Sequence, residues 1–113
     1  MLAACGGSPP APPAAPTIKV TQDAQHVHLH FTNPNRNWSV RDLPYDIDFR
    51  DKNGVFLASY LQPDRKSKDP AIAACCLIHS LPAGGFVVID LPPVRGVIAD
   101  VSVTYGKGHW TRT

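Results

Sequence analysis

The sequence predicts an all-β chain: an antiparallel β-sandwich of about seven strands behind a disordered, Pro-rich N-terminal tether. Three observations carry this prediction. Composition works against helices, with 12 Pro and 8 Gly among 113 residues and nine acidic residues that are all Asp. Asp, Pro and Gly are poor helix formers, whereas the absent Glu is a good one. From Thr17 onward, apolar residues recur at every second position, the period of a strand with one buried face. Turn cues then interrupt those runs at the spacing of an all-β sandwich. The length allows one domain and excludes a barrel enzyme of roughly 250 residues. A net charge of +2 is too mild to argue a nucleic-acid partner. No apolar run approaches the roughly 18 residues of a membrane span.

Residues 1–16 form the tether. Five of them are Pro, none is charged, and only Met1 and Leu2 are large and apolar. Such a stretch cannot offset its ordering entropy with a core. It favours extended polyproline II and acts as a semi-rigid spacer.

Residues 17–113 form the domain. Thr17 to Gln22 reads as a first, weaker strand. His26-Val27-His28-Leu29-His30-Phe31 alternates without a break, placing Val27, Leu29 and Phe31 inward and the three His outward. Tyr45, Ile47 and Phe49 repeat the inward pattern, with Asp46 and Asp48 on the wet face. Asp51-Lys52-Asn53-Gly54 is a turn, because Asn-Gly readily takes positive φ. Val55 to Leu61 returns as the paired strand. Gln62 to Pro70 is a polar loop carrying Arg65, Lys66 and Lys68. Ile72 to His79 fits a strand or one helical turn. Leu81 to Gly85 is a turn, and Phe86 to Leu91 is a strand stopped by Pro92-Pro93, which cannot donate to a ladder. A last strand of about nine residues alternates from Val97 to Tyr105.

Two resemblances follow from these residues. Leu2-Ala3-Ala4-Cys5-Gly6 resembles the lipobox of a bacterial lipoprotein, followed by the Gly/Ser/Pro-rich tether such proteins show. The resemblance implies cleavage before Cys5 and a diacylglycerol on its thiol. Neither the basic n-region nor the apolar stretch of a secretory signal is present. The reading therefore expects a start codon assigned too late or a trimmed chain. The domain resembles the small immunoglobulin-like envelope modules of the F-x-L-Y-D kind. Such modules share a strand ending in Asn, a strand running into Asp-x-x-Gly and a Leu-x-Pro-Gly turn, and here the chain has Phe31-Thr32-Asn33-Pro34, Tyr45 to Asp51-Lys52-Asn53-Gly54, and a final Val101-Ser102-Val103-Thr104-Tyr105 strand. It departs where Asp48-Phe49-Arg50-Asp51 replaces the L-Y-D stretch and Leu81-Pro82-Ala83-Gly84 replaces Leu-x-Pro-Gly. The resemblance implies an immunoglobulin-like fold and a binding or scaffold role, and supplies no catalytic residues.

Four groups are candidates for chemistry. His26, His28 and His30 lie about 6.5–7 Å apart along one strand face. Two imidazoles at that spacing can converge on Zn²⁺ or Cu²⁺; the alternative is the solvent face of an amphipathic strand. A pH-dependent surface is an intermediate reading, since an ordinary imidazole titrates at about pH 6.5. Cys75-Cys76 lacks C-x-x-C spacing; adjacent strand residues face opposite ways, and a buried, reduced Cys is favoured over a redox pair, the alternatives being a strained vicinal disulfide or an intermolecular disulfide through the outward Cys. Asp46, Asp48 and Asp51 do not meet the EF-hand pattern. Trp38 and Trp110 sit in or beside loops near Arg36, Arg41 and Arg112, a composition found at interface hot spots.

The expected function is a membrane-anchored, non-enzymatic binding or scaffold lipoprotein, an accessory subunit of a bacterial envelope complex. Its lipid is on Cys5, it faces the periplasm from the outer or inner membrane, and no other cofactor is expected. Another envelope or membrane protein would contact Trp38, Arg65, Lys66 and Trp110, or pair with a free sheet edge. The alternative is a periplasmic Cu/Zn-binding protein using His26, His28 and His30. No nucleophile elbow, zincin motif or P-loop argues for an enzyme.

Overall fold

The computed structural model describes residues 13–61 and 76–113. The described residues contain eight strands and no helix: β1 (Thr17–Gln22), β2 (Val27–Thr32), β3 (Trp38–Arg50), β4 (Phe56–Tyr60), β5 (Leu77–Leu81), β6 (Phe86–Leu91), β7 (Asp100–Tyr105) and β8 (His109–Arg112). They form two antiparallel sheets packed as a sandwich. One sheet is three-stranded, in the order β1-β2-β6; the other is five-stranded and built around β3. On β3, residues 47–50 pair with both β4 and β7, so those two strands lie on opposite sides. Val40 and Arg41 likewise pair with both β5 and β8. Gly106 N–H donates to Pro44 O, while Tyr45 N–H donates to Cys76 O just ahead of β5. The strands β7 and β8 therefore follow one another along one side of β3, with β4 and β5 along the other.

The two central strands supply most of the core. Val27, Leu29 and Phe31 of β2 meet Tyr45, Ile47 and Phe49 of β3, and all six are 0 or 1% exposed. This is the alternation expected from sequence, made into a seam between sheets. Burying each such side chain contributes about 1.5–3 kcal/mol. Phe31 lies 4.9 Å from the Tyr45 ring and 6.3 Å from the Tyr105 ring. That spacing suits tilted and edge-on aromatic packing.

β3 is much longer than Tyr45 to Phe49 because it changes phase. Val40 faces the core, yet so do Leu43 and Tyr45, which have the opposite parity. The switch falls at Asp42, whose φ is +52°; Asp is among the few residues that tolerate this left-handed region. Pro44 follows, and its missing N–H removes a ladder donor.

Turn chemistry fixes the β3–β4 hairpin. Asp51 Oδ1 accepts from Asn53 N–H at 2.8 Å and Val55 N–H at 3.0 Å, and Gly54 takes φ +79°. Asn33, 1% exposed, ties the other end together. Its side-chain amide donates to the carbonyls of Trp38 (2.7 Å), Leu81 (3.3 Å) and Pro82 (3.2 Å), while its Oδ1 accepts from Asn35 N–H (2.9 Å). One buried side chain thus joins β2, β3 and the end of β5.

Two corrections follow. Cys76 is fully buried and disulfide-bonded, which replaces the expected reduced thiol at that position. The last expected strand, Val97 to Tyr105, is shorter, running as β7 from Asp100 to Tyr105, and a further strand the sequence reading did not expect, β8, follows Gly106-Lys107-Gly108. The expectations for Cys5, Arg65, Lys66 and Cys75 lie outside the described residues.

Candidate functional site

The β3–β8 ladder brings Trp38 and Trp110 to one end of the sandwich. Trp38 is opposite Arg112 and Val40 is opposite Trp110. The two indoles are therefore diagonal neighbours on one face, a relation that puts Cβ atoms within about 7–8 Å. Both are half-buried. Trp110 packs against the core, so it belongs to a strand rather than to a loop. Arg112 beside Trp38, and Arg41 opposite His109, keep this end basic. Arg65 and Lys66, also assigned to partner contact, lie outside the described residues.

The histidines are arranged by the β2–β6 ladder. Asn33 N–H donates to Gly85 O at 2.9 Å, which fixes the alternation of hydrogen-bonded pairs along the register. His28 and Asp90 are then a non-hydrogen-bonded pair, the type whose side chains approach most closely. His28 Nδ1 is 2.6 Å from Asp90 Oδ1, and Nε2 is 2.8 Å from Asp23 Oδ2. Asp23 is held in the β1–β2 turn, where its Oδ1 accepts from Gln25 N–H and His26 N–H.

The electrostatics follow from this clamp. The hydrogen bond to Asp23, then that to Asp90, raises His28 above the ordinary imidazole range. Asp23 is held well below the usual carboxylate range, first by His28 and then by the two turn amides. The protonated ring donates at both nitrogens, leaving neither for a metal. His26 lies 5.9 Å from the His28 ring, yet among the described residues no group of three His, Cys or Asp converges on a metal position. Sequence reasoning missed Asp90 because it is 62 residues from His28. Only the pairing of two alternating strands in register could have found it.

Two shallow hollows lie among the described residues. One, of about 440 Å³, is lined by Asp51, Lys52, Asn53, Val97 and Ala99. The other, of about 150 Å³, lies on the outer face of the five-stranded sheet between Asp46, Asp48, Ser59, Ser102 and Thr104. Large apolar groups that sequence reasoning did not single out stand in solvent, including Phe86 at 72% and Val97 at 77% exposure.

The sheet edges complete the inventory. Among the described residues, only β2 and β3 have strands on both sides; β1, β4, β5, β6, β7 and β8 each have an unpaired outer side. The Gly106–Pro44 bond sets the alternation on β7. By that alternation, the main-chain groups of Val101, Val103 and Tyr105 point away from β3.

No protein-family profile, curated protein or solved structure matches the chain.

Proposed function

We propose that this chain is a non-enzymatic binding or scaffold subunit, anchored to a bacterial envelope membrane by lipid on Cys5 and accessory to a protein complex there. The observation that carries the binding reading is the Trp38–Trp110 pair. Two half-buried indoles share one face at one end of the domain, with Arg112 directly opposite Trp38. Trp and Arg together are the residues most enriched where interface energy concentrates. The membrane reading rests on Leu2-Ala3-Ala4-Cys5-Gly6 and the Pro-rich stretch after it. Two acyl chains hold a protein to a bilayer far better than one. The metal-binding alternative draws no support from the His28 clamp, which occupies both ring nitrogens.

The test is affinity purification of the full chain from detergent-solubilised membranes. Trp38→Ala and Trp110→Ala should each reduce the captured partner about tenfold or more, with the fold checked by circular dichroism. Full retention of every partner by both variants sinks the Trp site. Mass spectrometry of the native protein should show an acylated Cys5 at the N-terminus; an unmodified Cys5 sinks the anchor.

A further inference from the structure

We propose that the open edge of β7 is a docking site for an extended protein segment in which apolar residues alternate with basic ones. This deepens the binding reading above and rests on it, at a different surface from the two tryptophans.

β7 is six residues long, about 20 Å at roughly 3.3 Å per residue. Val101, Val103 and Tyr105 turn their N–H and C=O groups outward, and no strand among the described residues pairs with them. An unpaired strand of this kind is a template for another. β1 carries the usual blockers, Lys19 on the strand and Pro16 just before it. β7 has neither Lys nor Pro.

The cleft beside the edge asks for apolar side chains. Gln22 of β1 donates to Gly96 O at 3.0 Å and accepts from Ile98 N–H at 2.6 Å. At the other end, Tyr105 Oη donates to Pro16 O at 2.9 Å. The two latches hold β1 across from β7. Between them, Ile18, Val20, Val101 and Val103 are only partly buried, whereas the inward residues of β2 and β3 are fully covered. A strand added to β7 would direct every second side chain over these four residues.

The outer face sets the charge of the alternate residues. Asp100, Ser102 and Thr104 point outward from β7, and Asp46 and Asp48 stand behind them on β3. Asp48 Oδ1 is covered and has no hydrogen-bond partner among the described residues. Arg50, in the same row, donates to Gly54 O at 3.2 Å and lies over the Phe56 ring. Lys or Arg at the outward positions of an incoming strand would meet this acidic row. The chain's own residues 1–12 do not fit the description: they hold no basic side chain, and Pro9, Pro10 and Pro12 cannot donate. The β6 edge, with Phe86 and Val88 on its outer face, has no such charge pattern and serves as the control.

The experiment uses the full chain and two synthetic nine-residue peptides, one alternating Val with Lys and one alternating Val with Glu. The Lys peptide should slow amide exchange at Val101, Val103 and Tyr105 by about tenfold or more. The Glu peptide should bind at least about tenfold more weakly. Val103→Pro removes an outward N–H without touching the β3 ladder and should lower Lys-peptide affinity about tenfold. Asp100→Lys, on an exposed side chain, should narrow the preference between the peptides by several-fold even if the Pro variant unfolds. Equal binding of the two peptides, protection at Phe86 and Val88 instead, or no protection at any peptide concentration would overturn the proposal. If the peptide fails while Trp38→Ala and Trp110→Ala still lose a membrane partner, the edge falls and the binding reading stands. If the peptide protects β7 while those variants keep every partner, the Trp site falls and the edge stands.

Discussion

The two halves of β3 behave differently. From Tyr45 to Phe49 each inward side chain is 0 or 1% exposed and belongs to the core cluster that β2 shares. From Trp38 to Arg41 only Val40 is buried, and the flanking indoles keep part of their surface in solvent. One strand therefore builds the core with its second half and displays a candidate contact surface with its first. Asp42 at positive φ is the joint between them. The same strand can do both because a change of phase lets each half choose its inward face independently.

Several substitutions would break or sharpen that contrast. The largest effect is expected from Phe49→Ala in the core half, a loss of about 3–5 kcal/mol in chemical denaturation. A loss below about 1 kcal/mol would mean the second half is not the folding core. Asn33→Ala removes the amide that holds three carbonyls at the display end and should cost about 1–3 kcal/mol. Tyr45→Phe tests the core half from the other direction. Tyr45 Oη is buried with no partner among the described residues, and burial raises its pKa above the ordinary phenol value. Removing it should leave stability unchanged or higher by about 1 kcal/mol, read from the denaturation midpoint. Trp38→Ala should change stability by less than Trp110→Ala, since only Trp110 is among the residues packed on the core.

The smallest expected effect is that of pH on the His28 clamp. His28 has a folded pKa raised by Asp23 and Asp90. Its contribution is complete below the unfolded value near about 6.5 and is lost as pH rises through the folded value. Asp23, lowered mainly by His28, contributes above about pH 3.9 and loses that contribution as pH falls through its folded value. The difference in stability between the wild type and His28→Gln should therefore shrink as pH is raised. A difference that stays constant from acid to alkaline pH would contradict the clamp.

The second half of β3 was legible in the sequence because Tyr45, Ile47 and Phe49 keep a strict period of two. So were β2 and β6, whose strand chemistry is local, and β7 except for its start, which lies at Asp100 and not at Val97. The first half was not legible. Asp42 shifts the phase and Pro44 reads as a breaker, so Val40 and Leu43 do not look like one strand. β8 was hidden by its four-residue length and by the Gly106-Lys107-Gly108 link. For the candidate site, sequence singled out both tryptophans but not their diagonal placement, which depends on the β3–β8 register. The His28–Asp90 contact was invisible for the same reason. Periodicity reports which face a residue takes and says nothing of which strand lies next to it.

The N-terminal approach to the domain has a mechanical consequence. Ala14 and Asn35 exchange hydrogen bonds, with Ala14 N–H donating to Asn35 Oδ1 at 2.9 Å and Asn35 Nδ2 donating to Ala14 O at 2.8 Å. Asn35 in turn bonds Asn33 Oδ1, and Asn33 holds carbonyls of the other sheet. For a domain suspended by its N-terminal end, tension would not begin by peeling β1 from β2. Part of it would pass at Ala14 through Asn35 and Asn33 toward both sheets.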